Sequence, residues 1–333
     1  MSKSRALVPA AEKPAALIEL SSNAQKYLAL SLADNTLIAY ARCWRDFEAF
    51  CRKPRIRPLP CSPQIVIDYI VWLAELGLAV STIDQRVAAI AYFHRAREFD
   101  DPTAPALVKQ ILSGIRRERA ARGIHEKQAT PLLREDLFHL AIALPDTLTG
   151  IRDRALIFTA FALARRESEI AALVVSDLKF LGSAREPNAL QVRIRKSKTD
   201  QEGVGRTKRI PRLSELNELI CPVRAMRLWL DEAHITSGAV FRKVDRHGKV
   251  WTRGINPRTV EMIVSRSMKM IGKEGHYTGH SPRAGFTSQA GDDGVPIQQI
   301  MDVTDHVAIQ SALRYFRNQG TTTPLAIATA LGD

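Results

Sequence analysis

The segment TDHVAIQSALRYFRN, residues 304–318, contains side chains that could carry out phosphate chemistry. Tyr315 stands between Arg314 and Arg317, and His306 precedes it by nine positions. A tyrosine hydroxyl can act as a nucleophile and form a covalent intermediate, and a guanidinium binds a phosphate through two parallel hydrogen bonds. The same tyrosine could instead pack its ring on the core, so the segment alone leaves both interpretations open.

A second group of candidate residues lies in GHSPRAGF, where His280 and Arg283 are three positions apart. Ser281 and Pro282 are residues that begin helices, so both side chains are expected at a helix N-terminus. Free backbone N–H groups and the positive end of the helix dipole make such a terminus an anion site. Taken alone, a His-x-x-Arg pattern occurs in many proteins and favours a structural role.

Two further groups of candidate residues are interpreted from the helix or hairpin that is predicted to contain them. ALARRESEIAAL sets Arg166 and Glu169 one helical turn apart, a spacing that also suits an intrahelical ion pair. ALQVRIRKSK alternates apolar and polar residues and predicts a strand, while QEGVG predicts a turn and RTKRIPRL a return strand. Lys198 is thereby placed at the tip of a β-hairpin, where an ordinary surface lysine is also expected.

The elements around these candidates divide the chain into segments. Residues 31–119 repeat apolar side chains at three- and four-residue steps, which predicts a helical domain. One of its helices begins at Ser62 and Pro63 and ends at Gly77. AARGIHEKQATP, residues 120–131, is polar and basic without an apolar period, so it predicts an exposed linker. REDLFHLAIAL, IRDRALIFTAFALA and ESEIAALVVSDL predict further helices, and helices are again expected from Pro222 to the end.

The composition favours a nucleic-acid partner. Among 333 residues, 48 Lys and Arg outnumber 35 Asp and Glu, which gives a formal net charge of +13. Such an excess indicates a polyanion, and no lipid-binding segment or apolar stretch of membrane-spanning length favours a membrane instead. Four cysteines without a Cys-x-x-Cys pair predict reduced thiols and no metal site. Because the N-terminal region has no continuous apolar stretch of the secretory kind, a cytoplasmic protein is expected.

In combination and in chain order, the candidates resemble the active-site series of the tyrosine site-specific recombinases, the phage integrase family, and above all of its Cre-like members. The matching series is Arg166, Lys198, His280, Arg283, His306 and Tyr315. GHSPRAGF, GVPIQQIM and DHVAIQSALRYFRN resemble the last third of these enzymes, and GLAVSTIDQRVAAIAYFHRA resembles their helical DNA-clamping domain. The resemblance extends from Ser31 to Asp333.

The resemblance implies a mainly α-helical fold with a small antiparallel β-sheet, arranged as two domains that clamp DNA. An N-terminal helical core-binding domain is followed by a C-terminal α+β catalytic domain. The expected order along the chain is a flexible arm at residues 1–30, the core-binding domain at 31–119, the linker at 120–131, the catalytic domain at 132–318 and a tail at 319–333 that contacts a neighbouring protomer.

The resemblance also implies how the series breaks a phosphodiester. Tyr315 is the nucleophile and becomes linked to the DNA as a 3′-phosphotyrosine. Arg166 and Arg283 neutralise the phosphate, since a guanidinium stays charged and matches two phosphate oxygens. Lys198 protonates the leaving 5′-oxygen as a general acid.

The remaining members of the series support these roles. His280 assists proton removal from the tyrosine or orients the phosphate, and His306, where some members have tryptophan, donates a hydrogen bond to the phosphate. Glu169 positions its neighbours. The phosphotyrosine keeps the energy of the broken bond, so neither a metal ion nor any other cofactor is expected.

The implied partner is double-stranded DNA with inverted-repeat target sites, bound by a homo-tetramer on two DNA sites that is monomeric when free. Arg258 in INPRTVEMI and Gln85 in the third predicted helix match base-reading positions, and either is also explained as an exposed polar residue. No membrane contact is implied. The expected location is the prokaryotic cytoplasm, in association with the nucleoid.

The sequence departs from the family pattern near the first arginine. Ala164 stands where many members have glycine, and the Arg-x-x-Glu-Ile register favours Arg166 over Arg165 as the arginine that faces the phosphate. Tyr277 is a second tyrosine near the site, but it lacks the spacing to His306 and the following Phe-Arg-Asn. The alternative functions are a DNA-binding accessory protein of the same fold, which the complete series argues against, and a telomere resolvase or a topoisomerase, which the compact size argues against.

Overall fold

The structure is a computed structural model that describes residues 34–52, 55–124, 127–183, 186–195, 205–305 and residue 309. Its contacts divide the chain into two compact units, Met1–Glu126 and Lys127–Asp333. Each unit has an apolar core of its own. Among the residues described, no helix is long and apolar enough to cross a membrane.

The first unit is helical throughout its regular elements. Its helices are α1 (Asp34–Arg52), α2 (Pro63–Glu75), α3 (Val80–Arg95) and α4 (Ala106–Ala121). Helix α2 begins as the sequence predicts, with Ser62 as N-cap and Pro63 in the first turn. The chain leaves it through Gly77, whose φ of +77° is the left-handed conformation that favours glycine. Helix α4 continues to Ala121, so the first two residues of the predicted linker are helical.

The core of the first unit is formed by the apolar faces that the helical period predicts. Trp44 and Phe47 of α1 are buried, as are Ile83 and Ile90 of α3. Aromatic rings extend this core into α2, where the centroids of Phe47 and Tyr69 are 5.0 Å apart. The amphipathic pattern therefore gives both the helices and the faces that pack.

The second unit combines helices with two antiparallel sheets within its described residues. Its helices are α5 (Arg134–Ala143), α6 (Leu148–Leu163), α7 (Glu167–Ala171), α8 (Pro222–Glu232), α9 (Pro257–Met270), α10 (Ser281–Asp292) and α11 (Ile297–Thr304). Its strands are β1 (Leu178–Gly182), β2 (Pro187–Ile194), β3 (Arg206–Pro211), β4 (Arg242–Val244) and β5 (Val250–Gly254). The mainly helical fold with small antiparallel sheets is therefore confirmed.

The predicted β-hairpin corresponds to β2 and β3. They pair antiparallel with Leu190 opposite Ile210 and Val192 opposite Lys208, and β1 pairs with the other edge of β2. Leu190 and Val192 are buried while Arg193 is exposed, as the alternation predicts. The chain between the two strands contains the position of Lys198, which lies outside the described residues.

The helix expected over ESEIAALVVSDL is wrong beyond its first turn, because α7 ends at Ala171. The backbone that follows bonds elsewhere: the N–H of Val240 donates to the carbonyl of Leu173 at 2.9 Å, and the N–H of Val175 donates to that of Gly238 at 2.8 Å. These tertiary hydrogen bonds replace the helical ones, and the β-branched valines favour the extended backbone.

Strands β1, β4 and β5 also correct the prediction, which placed only helices after Pro222 and no strand before β2. Strands β4 and β5 form a separate two-stranded sheet. Their turn is held by Asp245, whose Oδ1 accepts from the backbone N–H of His247 at 2.9 Å and of Lys249 at 3.0 Å. Such an Asx turn followed by glycine is a signal that the sequence did contain.

Candidate active site

Helix α6 ends in a turn that carries two consecutive arginines. Ala164 closes the helix in the left-handed conformation, with φ of +50°, and its N–H donates to the carbonyl of Ala160. Arg165 follows, and Arg166 is the N-cap of α7. Glycine adopts this conformation with less strain than alanine, so Ala164 ends the helix at a cost in backbone strain.

The two arginines have different surroundings. The side chain of Arg165 is 0% exposed, whereas that of Arg166 is 19% exposed. Nη1 of Arg166 donates to Oε1 of Glu169 at 2.9 Å, the pairing that the one-turn spacing predicts. Glu169 is itself buried, so its carboxylate fixes this guanidinium. Nε, Nη1 and Nη2 of Arg165 all donate to partners within the protein, whereas Arg166 is partly exposed, so Arg166 is favoured as the arginine that can meet a ligand.

The start of α10 packs against this turn. A Cβ added to Gly279 would lie 2.6 Å from the Cβ of Glu167, so only glycine permits the approach. His280, the N-cap of α10, has Nδ1 3.5 Å from Oε2 of Glu167, and buried Arg283 donates from Nη1 to the carbonyl of Ala164 at 2.9 Å. These contacts gather four of the predicted site residues: Arg166, Glu169, His280 and Arg283.

Three residues of the predicted series lie outside the described part of the chain: Lys198, His306 and Tyr315. Lys198 belongs to the connection between Ile194 of β2 and Arg206 of β3. His306 directly follows Asp305, the C-cap of α11. Described residues therefore flank both Lys198 and His306.

Asp305 is a candidate that the sequence did not predict. It is 6% exposed, and its Oδ2 accepts from buried Arg165. Its Oδ1 accepts from Nη1 of Arg206 at 3.1 Å and from Nζ of Lys208 at 3.0 Å. These partners are 97 to 140 positions away along the chain, so no local pattern could have indicated the contact.

The pKa of Asp305 reflects two opposing effects. Burial raises it, because desolvation disfavours the charged carboxylate. Hydrogen bonds and charges from Arg165 and Lys208 lower it by more, so the net shift is downward from the ordinary value. The carboxylate is therefore charged at neutral pH.

Residues 132–321 match the family model described as Phage integrase family. The chain belongs to this family, the tyrosine recombinases. An integrase/recombinase xerD homolog of Selenomonas ruminantium is 35% identical over 301 residues, which cover 89% of this chain and 85% of the relative. Recombinase cre of Escherichia phage P1 is 24% identical over 85% of this chain and 82% of its own.

Solved structures show the same fold for the recombinase. The Tn1549 transposon integrase in complex with transposon right end DNA has a TM-score of 0.60 at 17% identity, covering 93% of this chain and 97% of that chain. The XerH site-specific recombinase bound to difH substrate, in a pre-cleavage complex, has a TM-score of 0.59 at 13% identity, covering 94% and 85%. At these identities the likeness shows the fold alone.

The competing tyrosine of the recombinase, Tyr277, has surroundings that suit a packed side chain. It lies against the core of the second unit. Burial raises the pKa of its hydroxyl, and the nearby charge of Asp136 adds to the increase. A raised pKa makes the nucleophilic phenolate scarcer at neutral pH, which is the opposite of what an activated nucleophile needs.

The two predicted base-reading residues of the recombinase are both exposed. Arg258 lies in the first turn of α9, beside the N-cap Asn256. Gln85 lies on α3, where its Oε1 is 4.0 Å from Sγ of Cys43. Exposed polar side chains on helices are suited to contact base edges in a groove.

Proposed function

We propose that this tyrosine recombinase cuts and rejoins DNA at specific sites through a 3′-phosphotyrosyl intermediate and a Holliday junction. The observation that carries the proposal is the cluster of Arg166, Glu169, His280 and Arg283 where the start of α10 meets the turn after α6. Two guanidinium groups and an imidazole near the positive end of a helix suit one phosphodiester.

In the proposed cleavage step, Oη of Tyr315 attacks phosphorus and the bond from phosphorus to the 5′-oxygen breaks. His280 assists removal of the tyrosine proton, and Lys198 gives a proton to the leaving 5′-oxygen. Arg166 and Arg283 neutralise the charge that develops on the non-bridging oxygens. The products are a 3′-phosphotyrosine and a free 5′-hydroxyl.

Rejoining is the reverse reaction with a 5′-hydroxyl from the partner duplex. This hydroxyl attacks the phosphotyrosine, a phosphodiester forms, and the hydroxyl of Tyr315 is released with its proton restored. His306 donates a hydrogen bond to the phosphate in both directions, and Glu169 holds Arg166. One phosphoester bond forms for each that breaks, so the cycle needs no ATP and no metal ion.

Double-stranded DNA is the proposed partner, with inverted repeats as the target. The net charge of +13 supports this proposal, because a basic excess attracts the phosphate backbone. Structurally similar integrases and recombinases have been solved with DNA. We place phosphate contacts in both units, base reading at Arg258 and Gln85, and the linker at residues 120–131 along the backbone.

The proposed assembly is a tetramer on two DNA sites, formed from monomers. Residues 319–333 would contact the neighbouring protomer, with residues 1–30 as an arm, residues 31–119 as the core-binding domain and residues 132–318 as the catalytic domain. A truncation after Asn318 should therefore leave cleavage of a single site intact and abolish recombination between two sites. Recombination by the truncated chain would overturn the tetramer contact.

The first test of the function is covalent capture. Wild type and Tyr315→Phe are incubated with nicked DNA from the neighbourhood of the gene and denatured in detergent, and any attached DNA is sequenced. We expect both proteins to bind DNA before denaturation and only wild type to retain it afterwards, because phenylalanine lacks the attacking oxygen.

Each other outcome has a distinct meaning. Retention by both proteins would contradict Tyr315 as the nucleophile, and Tyr277→Phe would then be the next variant. DNA that both proteins bind but neither retains would contradict the enzymatic proposal and support a DNA-binding accessory protein. Tyr277→Phe serves as the matched control in the expected case, since it removes a hydroxyl from the same unit without loss of capture.

A further inference from the structure

We propose that Glu167 is a positioning residue for His280: its carboxylate holds the proton of the imidazole on Nδ1, so that Nε2 is left without one and can accept the proton of the attacking hydroxyl. The inference rests on the proposed function, in which His280 assists proton removal. It adds a residue outside the predicted series and assigns the role of His280 to one ring nitrogen.

The contact between Glu167 and His280 joins two elements of the second unit. Glu167 is the first residue of α7, and His280 is the N-cap of α10. Oε2 of Glu167 lies 3.5 Å from Nδ1 of His280. A carboxylate beside one ring nitrogen of a histidine keeps the proton on that nitrogen and thereby decides which tautomer is present. The contact therefore favours the tautomer with its proton on Nδ1.

The carboxylate oxygen that faces His280 needs a donor. Oε2 of Glu167 is buried, and among the residues that the structure describes it accepts no hydrogen bond. A buried acceptor without a donor costs free energy, so an N–H beside it is favoured. The separation of 3.5 Å is longer than a hydrogen bond of this kind, and catalytic hydrogen bonds are often this long before a substrate binds.

The neighbouring carboxylate of α7 already has cations of its own. Glu169 lies two residues after Glu167, and residues at this spacing do not share a helix face. Its Oε1 accepts from Nη1 of Arg166 at 2.9 Å, and its Oε2 lies 3.7 Å from Nη1 of Arg165. The segment Glu-Ser-Glu thus directs one carboxylate to the arginines and the other to the histidine.

The backbone before α10 fixes the position of His280 beside Glu167. The N–H of His280 donates to Oγ1 of Thr278 at 3.2 Å, and the N–H of Thr278 donates to Oγ of Ser281 at 2.9 Å. A Cβ added to Gly279 would lie 2.6 Å from Cβ and 3.0 Å from Cγ of Glu167. The absence of a side chain at Gly279 therefore lets this turn lie along the side chain of Glu167.

The consequence of the contact concerns a proton rather than stability. The side chains of His280 and Glu167 are 50% and 27% exposed, and an ion pair of such exposure contributes little to the free energy of unfolding. In a Ser-His-Asp triad, by comparison, a carboxylate on Nδ1 orients the imidazole for catalysis. During cleavage the hydroxyl proton passes to Nε2, and the imidazolium keeps its other proton on Nδ1 beside Glu167. Rejoining returns the proton from Nε2 to the tyrosine oxygen.

The position of the proton is measured by ¹⁵N NMR of the full chain labelled at histidine. His280 is one of eight histidines, and its signals are identified by their loss in His280→Gln. At a pH where the imidazole is neutral, couplings to the ring protons show which nitrogen carries the proton. We expect the proton on Nδ1 in wild type and a shift of the population toward Nε2 in Glu167→Leu. Glu167→Asp should show the same shift, because its carboxylate is one methylene shorter.

A double-mutant cycle tests whether Glu167 acts through His280. Initial rates of covalent-complex formation on nicked DNA are compared for the two single variants and the double variant. We expect a loss of about 100-fold in His280→Gln, the contribution of a general base, and of about tenfold in Glu167→Leu. Glu167→Leu added to His280→Gln should cause no further loss, because the imidazole that it positions is already absent.

Glu232→Leu is the matched control, since it makes the same substitution at an exposed residue at the end of α8. It should keep the wild-type tautomer and the wild-type rate.

Three results would overturn the positioning role: a proton on Nε2 in wild type, a tautomer that does not change in Glu167→Leu or in Glu167→Asp, or equal losses from Glu167→Leu with and without His280. Absence of a Tyr315-dependent complex in wild type would instead overturn the proposed function, and the NMR result would still show where the proton lies.

Discussion

Arg165 and Arg166 are neighbours in the chain but belong to different parts of the molecule. Arg165 is buried against Asp305, the carbonyl of Val303 and the carbonyl of Leu163. Arg166 reaches the surface and is held by Glu169. The buried Arg165 is therefore expected to stabilise the fold, whereas the partly exposed Arg166 is the one proposed to bind a phosphate.

Substitution of each arginine should therefore change a different property. Arg165→Met leaves the carboxylate of Asp305 buried with one cation fewer, and we expect it to lower the free energy of unfolding by about 3 kcal/mol. Arg166→Lys keeps the charge but loses the guanidinium fork, and we expect about 100-fold slower covalent-complex formation. Urea denaturation and the covalent capture assay measure the two effects.

Arg166→Lys is also the control for stability, since its side chain is partly exposed and its unfolding midpoint should stay close to that of wild type. A stability loss in Arg166→Lys equal to that in Arg165→Met would contradict the division of roles. So would normal cleavage by Arg166→Lys.

The chain order of the candidates, through its resemblance to the phage integrase family, singled out Arg166, His280 and Arg283, which local patterns alone left ambiguous. The structure then places these three residues at the starts of α7 and α10. The sequence did not predict a role for Asp305, because its partners lie in distant segments of the chain. Its burial among them cannot be deduced from the neighbouring residues.

At the scale of elements, the approach of α10 to the segment before α5 holds the site together. A Cβ added to Gly285 would lie 1.6 Å from the carbonyl oxygen of Leu132. The N–H of Leu132 donates to the carbonyl of Ser281 at 3.1 Å. The missing side chain at Gly285 therefore permits a backbone contact that sets where His280 and Arg283 begin their helix.

Gly285→Ala should destabilise the protein by about 2 to 3 kcal/mol, because the backbone of Leu132 would have to move away from α10. Gly114→Ala is the matched control: Gly114 lies within α4, and an added Cβ meets nothing within 4 Å. That variant should gain about 0.5 to 1 kcal/mol, since alanine favours the helix. Urea denaturation distinguishes the two, and effects of the same sign would contradict the packing argument.

The sequence predicted helices and strands correctly where one spacing of apolar residues continued over most of the element. Helix α2 has a start signal and a stop signal in the sequence, and β2 alternates from Leu190 to Ile194. Helix α7 and strand β1 were not separated correctly, because the apolar run ALVV satisfies a helix and a strand equally. The hydrogen bonds that the carbonyls of Gly238 and Leu173 accept from the N–H groups of Val175 and Val240 decide between the two, and these form only in the folded unit.

At the scale of the whole molecule, the first unit contains ionisable thiol and phenol groups in and beside its core. The core of the first unit includes Cys51, and Tyr69 is buried within it. Burial raises the pKa of Cys51 to about 11, of Cys61 to about 12 and of Tyr69 to about 12. All three groups are neutral when folded and ionise at lower pH when unfolded.

The first unit should therefore lose stability in alkali. A pKa that is higher in the folded state contributes stability that is complete below the unfolded value and is lost as pH rises through the folded value. From about pH 8 to about pH 11 we expect the urea midpoint of this unit to fall. Cys61→Ala combined with Tyr69→Phe should weaken the dependence, because the two groups whose pKa is raised to about 12 are removed.

Fluorescence can report this unit alone. Trp44 and Trp72 lie in the first unit, while Trp229 and Trp251 lie in the second and can be replaced by phenylalanine. The urea midpoint is followed by the fluorescence of Trp44 and Trp72 at each pH. If this midpoint does not change with pH, the raised pKa values do not belong to the folded state.

The order of the two cores along the chain also determines what exists first during synthesis. The first core uses residues from Trp44 to Leu112, and the second uses residues from Leu132 to Met268. Domains fold as units while a chain leaves the ribosome, N-terminal part first. The helical unit can thus complete its core before Arg166 and His280 have both been made. A polypeptide released from its ribosome before residue 166 would carry the helical unit and none of the proposed cleavage residues, and so would be unable to form the proposed covalent intermediate.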